Sequence, residues 1–338
     1  MALSLDITVP ECRHFVTHCD HRYLLKALAL HASLKRHHAS FILWIVCTSE
    51  EAINRVRALT DATLRPLSLH QIEETYPQLL KAKVNRSIVE YYYTLSPAVC
   101  RFVLENQQCN EMITYLDADT FFFSSPEYVF ELLGQSSIGI TPHRFSSWMR
   151  RMRKVGEYNV GWITFRKDEN GTACLQWWFD RCIDWCYQRY EEGKYADQGY
   201  LNWFQELFKG VKVLDDPGIN LAQWNLANYK IQDENGAVKV NGKPLIFYHF
   251  ADFIQLSKWH YSTNTSGALI WLTPRLRKLI FGPYIRTLRK INPESLPRGL
   301  RKLSIRDILS LKAPKVILRS IRNIVFMQYI FVFGKRII

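Results

Sequence analysis

The sequence predicts an α/β fold in which a doubly wound sheet carries helices on its faces. Two observations support this class. Short apolar runs alternate with longer stretches of helical periodicity through the first half of the chain. The run FILWIVCT (41–48) is apolar throughout, as expected for a parallel strand that is covered on both sides. In such sheets, ligands bind at the carboxyl ends of the strands.

The first elements follow this alternation closely. The segment CRHFVTHC (12–19) is expected to form a short strand. YLLKALALHASLKRH (23–37) places its apolar residues at helical spacing, so a helix is expected there. A second helix is expected at 49–58, after the apolar strand at 41–48. The chain therefore begins with two strand–helix units.

The next helix is expected at 96–106, because Ser96 followed by Pro97 is a common helix start. EMITYL (111–116) and SIGITPH (137–143) are then expected to be strands. These elements continue the alternation and complete the first half of the sheet.

The pattern changes in the second half of the chain. The segment 146–166 passes from a basic loop into the strand-like NVGWITF. An amphipathic helix is expected at 174–192, another helix at 196–208, and a late strand at 243–250. No internal repeat or low-complexity segment interrupts the pattern.

The composition is that of a globular protein, with 48% hydrophobic and 22% charged residues, which excludes an intrinsically disordered chain. The eight cysteines include no CxxC pair, so buried free thiols in a reducing compartment are expected. The first residues do not show the pattern of a signal peptide, and no apolar run is long enough for a transmembrane helix. These features predict a cytoplasmic protein.

The basic charge of the chain is confined to its C-terminal part. From Trp271 onward there are 16 lysines and arginines against two acids, a net charge of +14, whereas residues 1–270 carry a net charge of −1. This asymmetry predicts a catalytic or binding domain at 1–270 and a basic, amphipathic, helical region at 271–338. The region is expected to lie on an anionic membrane surface, with packing against the main domain as the alternative. No nucleic-acid recognition motif supports a nucleic-acid partner.

Two acids stand at the end of the strand 111–116, in the sequence MITYLDADTFFFSSPE (112–127). Asp117 and Asp119 have two interpretations. Aspartates are common in tight turns after strands. Two carboxylates this close together are also suited to a divalent cation, since Mg²⁺ and similar ions take oxygen ligands.

The LDAD motif with a following proline and acid resembles the metal-binding signature of GT-A-fold glycosyltransferases. It is most similar to the retaining family that contains glycogenin and the bacterial lipopolysaccharide galactosyl- and glucosyltransferases. The resemblance covers about residues 12–260. It implies a Rossmann-like mixed sheet with flanking helices, in which Asp117 and Asp119 hold Mn²⁺ or Mg²⁺ and Asp117 also meets the ribose.

Other segments resemble this family's landmarks in the same order along the chain. FVTHCDHRYLLKALALHASL resembles its first strand–loop–helix, which implies that Thr17, Asp20 and Tyr23 bind the nucleotide base. The helix before the LDAD strand implies Arg101 as a basic residue near the nucleotide. GINLAQWN (218–225) matches the family's asparagine-rich loop more loosely.

The downstream landmarks concern the transferred sugar and the metal. YNVGWITFR resembles the segment that lies against the sugar, which implies Asn159 and Gly161. ADQGYLN resembles the segment under the sugar ring, which implies Asp197 and Gln198 as the residues that stabilise the transition state. FYHF resembles the late element whose histidine is a third metal ligand, which implies His249.

Together these matches imply a metal-dependent transferase that moves a hexose from a UDP-sugar to an acceptor hydroxyl with retention. The expected acceptor is a cell-surface glycan or glycolipid, and the expected location is the cytoplasm or the inner face of the cell membrane. Two other functions remain open. One is a sugar nucleotidyltransferase, although an early glycine-rich phosphate loop is absent. The other is a non-catalytic carbohydrate- or membrane-binding protein on the same fold.

Overall fold

The computed structural model describes residues 12–38, 40–107, 109, 111–292, 322 and 324–333, together with the backbone of 336–337. In this part of the chain the expected α/β class is confirmed, since strands and helices alternate around one large mixed sheet. None of the helices described has the length and apolar character that crossing a bilayer requires.

The strands fall into one large and three small sheets. In chain order they are β1 (Arg13–Cys19), β2 (Phe41–Cys47), β3 (Leu64–Ser68), β4 (Met112–Leu116), β5 (Thr120–Phe122), β6 (Ile138–Pro142), β7 (Tyr158–Arg166), β8 (Val211–Val213), β9 (Leu221–Ala222), β10 (Ile231–Glu234), β11 (Ala237–Val240), β12 (Lys243–Pro244), β13 (Phe247–His249), β14 (Ile254–Ser257), β15 (His260–Ser262), β16 (Tyr329–Phe333) and β17 (Arg336–Ile337).

The helices lie mostly between these strands. They are α1 (Leu24–His37), α2 (Glu50–Arg57), α3 (Leu69–Thr75), α4 (Gln78–Val84), α5 (Ile88–Asn106), α6 (Glu127–Leu133), α7 (Glu169–Asp184), α8 (Phe204–Leu207), α9 (Pro274–Leu276) and α10 (Gly282–Ile291). Two longer 3₁₀ segments span Ser147–Val155 and Gln198–Trp203, and a π-helical turn at Arg277–Phe281 joins α9 to α10.

The large sheet has the order β3-β2-β1-β4-β7-β6-β8 within the described residues. Strands β3, β2, β1 and β4 run parallel, and β7 runs antiparallel between β4 and β6. Alternate residues of β1 enter different apolar layers. Phe15 packs with Trp162 and the residues of α1 and α6, while Val16 packs with Val99 of α5 and Trp178 of α7. The sheet is therefore covered on both faces, as a parallel sheet requires.

A small sheet is attached at the carboxyl end of β4. Strand β5 follows β4 after a short turn and pairs antiparallel with β13, which in turn pairs parallel with β9. This sheet brings the late segment 243–250 next to the acids at 117 and 119. The strand expected at 243–250 is divided at Leu245 and Ile246, because β12 pairs with β11 whereas β13 pairs with β5 and β9.

Helix α5 begins earlier than expected. It starts at Ile88 rather than near residue 96, and Pro97 lies inside it. The start is fixed by a capping box, in which the Ser87 side chain accepts a bond from the Glu90 N–H and the Glu90 carboxylate accepts one from the Ser87 N–H. Such a reciprocal pair satisfies two helix-end donors. This cap, and not the Ser96–Pro97 pair, therefore determines where the helix begins.

Helix α7 is shifted and shorter than the expected 174–192, since it spans Glu169–Asp184. Asp168 caps its start by accepting a bond from the Gly171 N–H. At its end, the buried Arg86 guanidinium donates to the carbonyl oxygens of Cys182 and Ile183 at 2.7 and 2.6 Å. These bonds satisfy carbonyl oxygens that would accept from backbone N–H groups if the helix continued. The helix expected at 196–208 is likewise replaced by a 3₁₀ segment and the short α8.

The described part of the basic region packs on the α/β unit. Helix α10 contacts α1, and Ile280, Tyr284 and Ile285 share an apolar cluster with Phe121 and Phe250. Strand β16 pairs with β15. Residues 293–321 of this region, which is expected to be amphipathic and helical, lie outside the described residues. The division at residue 270 therefore remains a prediction based on charge.

Replacement of Arg86 by methionine tests its role at the end of α7. We expect Arg86→Met to lower the free energy of unfolding by roughly 2–4 kcal/mol, because two helix carbonyls and the Thr94 hydroxyl lose a charged donor. Urea unfolding followed by circular dichroism measures this. Arg181→Met is the matched control, because Arg181 is exposed and pairs with Asp184 at the same helix end. Its effect should stay below about 0.5 kcal/mol. Equal small effects would contradict the capping role.

Candidate metal centre

The acids at 117 and 119 lie in a tight turn at the carboxyl end of β4. Thr120 closes this turn, because its N–H and its hydroxyl both donate to the Asp117 carbonyl oxygen, at 3.0 and 2.9 Å. The Asp119 side chain is buried and that of Asp117 is half-buried. The turn and the metal-binding interpretations are therefore compatible, since the turn is what directs two carboxylates to one place.

The pairing of β5 with β13 brings a histidine to these acids. Thr120 lies opposite His249, and the Phe250 N–H donates to the Asp119 carbonyl oxygen at 2.8 Å. The His249 Nε2 atom is 3.1 Å from Asp119 Oδ1 and 3.5 Å from Asp117 Oδ2. One ligand atom from each of the three residues lies within 4.8 Å of the others. The structure thus brings Asp117, Asp119 and His249 together as one group.

The orientation of the His249 ring is set by Asn159 on β7. The Asn159 Oδ1 atom accepts a bond from the Gly161 N–H at 2.9 Å and one from Asn220 Nδ2 at 3.1 Å, so it is an acceptor. It faces His249 Nδ1 at 3.2 Å. Nδ1 must therefore carry a proton, and Nε2 is directed at the acids. Metal-binding histidines are commonly fixed in this way through their other ring nitrogen.

The charges of the group are strongly coupled. Burial raises the pKa of Asp117, and the neighbouring Asp119 carboxylate adds to this rise. Burial opposes ionisation of Asp119 too, but Lys26 and His249 outweigh it and lower the pKa of Asp119. Burial lowers the pKa of His249, yet the Asp119 and Asp117 carboxylates outweigh burial and raise it. Positive charge from Lys26 and His249 therefore favours the ionised form of Asp119, whereas burial dominates at Asp117.

A divalent cation fits this donor set. Two carboxylates and one imidazole nitrogen are ligands that such ions accept in proteins. The three ligand atoms converge at the edge of the sheet, and Asn159 holds Nδ1 of His249 so that Nε2 faces the acids. With a cation bound, the imidazole would be neutral and the cation would balance both carboxylates. Asp117, Asp119 and His249 can therefore hold a metal ion.

Asp197 is a third acid, whose pKa is influenced by the charge of Asp117. Its buried carboxylate accepts a bond from the Ser96 hydroxyl at 2.7 Å. Burial, with a further contribution from the Asp117 charge, raises the pKa of Asp197 to about 7. Gln198 is held differently, because its side-chain amide donates to the Val155 carbonyl oxygen at 2.7 Å. It thereby ties the 3₁₀ segment Ser147–Val155 to the segment that follows Asp197.

The predicted base-binding residues lie at the carboxyl end of β1 and at the start of α1. Thr17 is buried, and its hydroxyl has no hydrogen-bond partner among the described residues. The Asp20 carboxylate accepts bonds from the N–H groups of Arg22 and Tyr23 and from the Arg22 side chain. Tyr23 is exposed, with its ring stacked under the Lys26 ammonium at 4.3 Å. Their roles in base binding remain predictions.

Arg101 is placed elsewhere on α5. Its guanidinium pairs with Glu105 at 2.8 Å and lies over the rings of Tyr76 and Phe179, at 4.8 and 5.1 Å. No contact within the described segments connects it to the acid pair. The structure thus does not bring Arg101 to the group that contains Asp117, and its predicted role near the nucleotide remains untested.

Two further side chains contact the acids, although they were not predicted from the sequence. Lys26 lies 3.4 Å from Asp119 Oδ2, and the Tyr115 hydroxyl donates to Asp117 Oδ1 at 3.2 Å while lying 3.1 Å from His18 Nε2. Lys26 is three residues after Tyr23, and residues at that spacing share one side of a helix. This spacing was the available signal for Lys26. For Tyr115 the available signal was its place two residues before Asp117, since alternate residues of a strand share a face.

Substitution of Gly161 tests whether Asn159 orients His249. A Cβ atom at position 161 would lie 2.6 Å from Asn159 Oδ1 and 2.8 Å from His249 Nδ1, so one of them must move. We expect Gly161→Ala to weaken Mn²⁺ binding by about tenfold or more, since loss of such supporting contacts typically costs 10–100-fold in metal affinity. Isothermal titration calorimetry measures the affinity.

The matched control is Gly267→Ala, where the nearest heavy atom to the added methyl is 3.8 Å away. This control should bind Mn²⁺ as the unmodified protein does. Both variants should keep their circular dichroism spectra. Unchanged Mn²⁺ affinity in Gly161→Ala would show that His249 does not depend on this packing.

Solved structures that resemble the chain include several glycosyltransferases. The galactosyltransferase LgtC, in complex with donor and acceptor sugar analogues, has a TM-score of 0.47 and 16% identity, covering 79% of this chain and 94% of LgtC. Mouse xyloside xylosyltransferase 1 has a TM-score of 0.46 and 15% identity, covering 72% of this chain and 98% of that enzyme. At this level of similarity the argument for an activity rests on the site itself.

Two proteins of Bacillus subtilis (strain 168) have similar sequences, whereas no protein-family model matches the chain. The uncharacterized protein YfnD is 31% identical over 286 residues, covering 82% of this chain and 89% of YfnD. The uncharacterized protein YfnF is 34% identical over 255 residues, covering 72% of this chain and 84% of YfnF. With this identity over most of both lengths, the chain belongs to the same family as YfnD and YfnF.

Proposed function

We propose that this protein is a metal-dependent glycosyltransferase that moves a hexose from a UDP-sugar to an acceptor hydroxyl, with retention of the anomeric configuration. The observation that carries the proposal is the convergence of Asp117, Asp119 and His249 within 4.8 Å at the carboxyl edge of the sheet. That edge is where open α/β sheets bind nucleotides. Two neighbouring acids and a histidine in one partly buried cluster, with perturbed pKa values, are typical of a functional site.

Each residue of the group has a distinct task in this proposal. Asp119, Asp117 and His249 would bind the cation, which when bound neutralises the leaving diphosphate. Asp119 is the most readily ionised of the acids, because Lys26 and His249 lower its pKa. Asp117 is proposed to contact the ribose as well. Asn159 keeps Nε2 of His249 available by holding its other nitrogen.

The transferred sugar is proposed to lie between β7 and the segment that begins at Asp197. Gly161 is proposed to lie against the sugar, and its lack of a side chain lets Asn159 and His249 approach its backbone closely. Asp197 is buried, and the charge of Asp117 contributes to its raised pKa. In its ionised form Asp197 would stabilise positive charge on the sugar. The described bond of Gln198 uses its amide nitrogen, and its carbonyl oxygen is proposed to face the sugar.

Manganese suits this donor set better than magnesium. Mg²⁺ prefers oxygen ligands and near-ideal octahedral geometry, whereas imidazole nitrogen is a better ligand for later ions of the series. We therefore propose Mn²⁺ as the working ion, with Mg²⁺ as a weaker substitute.

The acceptor is proposed to be a cell-surface glycan or glycolipid, built at the inner face of the cell membrane. This rests on the net charge of +14 from residue 271 onward, which would attract the chain to anionic lipids. No nucleic acid is proposed as a partner.

Replacement of Asp119 by asparagine tests the transferase proposal. The unmodified protein should hydrolyse a UDP-hexose slowly in the presence of Mn²⁺, and Asp119→Asn should lower this rate by at least about 10²-fold, since a ligand to the catalytic ion loses its charge. Release of UDP from a panel of UDP-sugars, with Mn²⁺ or with a chelator, is the measurement.

Asp180→Asn is the control, because Asp180 is exposed on α7 and accepts a bond from Gln176. It should keep the rate of the unmodified protein. A rate that is the same with Mn²⁺ and with chelator would contradict the metal-dependent reaction. The absence of metal-dependent UDP binding would remove the transferase proposal altogether.

Vesicle binding tests the membrane proposal. We expect the full chain to bind vesicles that contain phosphatidylglycerol, and we expect replacement of Arg301, Lys302, Lys312, Lys315 and Arg319 by glutamine to weaken this binding. Each basic residue near an anionic surface contributes about 1 kcal/mol. Co-sedimentation measures the bound fraction, with neutral phosphatidylcholine vesicles as the control. Equal binding to both kinds of vesicle would contradict an electrostatic attachment.

A further inference from the structure

Lys26 is a lysine held inside the proposed metal centre. It lies in the first turn of α1, and its ammonium group is 3.4 Å from Asp119 Oδ2. Its side chain is only 15% exposed, and the ammonium lies 4.3 Å above the centre of the Tyr23 ring. A lysine placed in this way is not a mobile surface charge, because both a carboxylate and an aromatic face hold it.

The Asp119 carboxylate is shared between two positive groups. Its Oδ1 atom faces His249 at 3.1 Å, while its Oδ2 atom faces Lys26. A divalent cation that binds Asp119 must therefore approach an ammonium group that already neutralises one of its oxygens. Like charges at this range repel strongly where water is largely excluded.

The total charge of the site shows why such a lysine would be retained. Before a cation binds, the Lys26 ammonium neutralises part of the charge of Asp119. A divalent cation that binds Asp117 and Asp119 balances these two acids, so the ammonium of Lys26 is left as an excess positive charge. An excess of this kind is suited to a diphosphate, which carries negative charge and several acceptor oxygens.

We propose, on the basis of the proposed function, that Lys26 is a positioning residue with two successive partners. It neutralises Asp119 in the metal-free protein, and it turns to the diphosphate of the nucleotide once the cation holds Asp119. The flexible four-carbon stem of lysine allows this change of partner without movement of α1. Tyr23, which lies beneath the ammonium, keeps it near the site in both positions.

The proposal predicts two opposite effects of one substitution. In Lys26→Met the competing charge is gone, so Mn²⁺ alone should bind about tenfold more tightly than to the unmodified protein. In the presence of saturating Mn²⁺, UDP should bind about tenfold more weakly, because the diphosphate loses a charged donor. A lysine that only stabilised the fold would not shift these two affinities in opposite directions.

Isothermal titration calorimetry with the full-length protein measures both affinities, first for Mn²⁺ alone and then for UDP at saturating Mn²⁺. Lys26→Gln is a second variant of the same test, and circular dichroism checks that both variants fold. Lys26→Arg keeps the charge and should restore UDP binding. Lys35→Met is the matched control, since Lys35 lies on the same helix and forms an ion pair with Asp61 at 2.7 Å. It should change neither affinity.

Unchanged or weaker Mn²⁺ binding in Lys26→Met and Lys26→Gln would overturn the first half of the proposal. Unchanged UDP binding would overturn the second half. Either result, obtained while the unmodified protein binds Mn²⁺ and UDP, leaves the transferase proposal intact. If the unmodified protein binds neither, the proposed function fails and the role of Lys26 fails with it.

Discussion

The antiparallel register of β5 and β13 is the constraint on which the site depends. In this register Thr120 lies opposite His249, and Phe122 lies opposite Phe247. The two phenylalanine rings, 5.4 Å apart, are fully buried and hold the strands in place. Successive side chains of a strand point to opposite faces, so a shift by one residue would bring Tyr248 toward the acids and turn the imidazole into the core. The apolar packing of this small sheet therefore decides whether His249 reaches the two acids.

Strand β7 supplies the second requirement, which is the orientation of the imidazole. One oxygen, Asn159 Oδ1, serves the Gly161 N–H, the Asn220 amide and His249 Nδ1. Because a single acceptor serves three donors, any movement of the asparagine is opposed by two bonds outside the metal centre. The absence of a side chain at position 161 is what lets these groups approach. The strand thus contributes rigidity to the site, and the acids contribute charge.

Local signals in the sequence were sufficient for the fold class and for most strand positions, because apolar periodicity is a property of neighbouring residues. They failed for the start of α5, where Pro97 suggested a beginning although the Ser87 cap lies nearly three turns earlier. The acids were singled out by their position after a strand and their spacing, whereas His249 was found by resemblance to a family. The distances between the acids and His249 could not be predicted, because they depend on pairing between distant segments. The spacing of Tyr23 and Lys26 placed both on one side of α1, but the contact of Lys26 with Asp119 depends on how α1 packs on β5.

In the basic region, the residues that carry the charge differ from the residues that pack on the α/β unit. Its lysines and arginines dominate the net charge, but its apolar residues join the core of the α/β unit. Tyr284 of α10 stacks on Phe250 at 3.9 Å, and the Phe250 N–H binds the Asp119 carbonyl oxygen. These two contacts connect the region to the acid pair. The packing of α10 therefore reaches, through Tyr284 and Phe250, the backbone of the segment that carries Asp119.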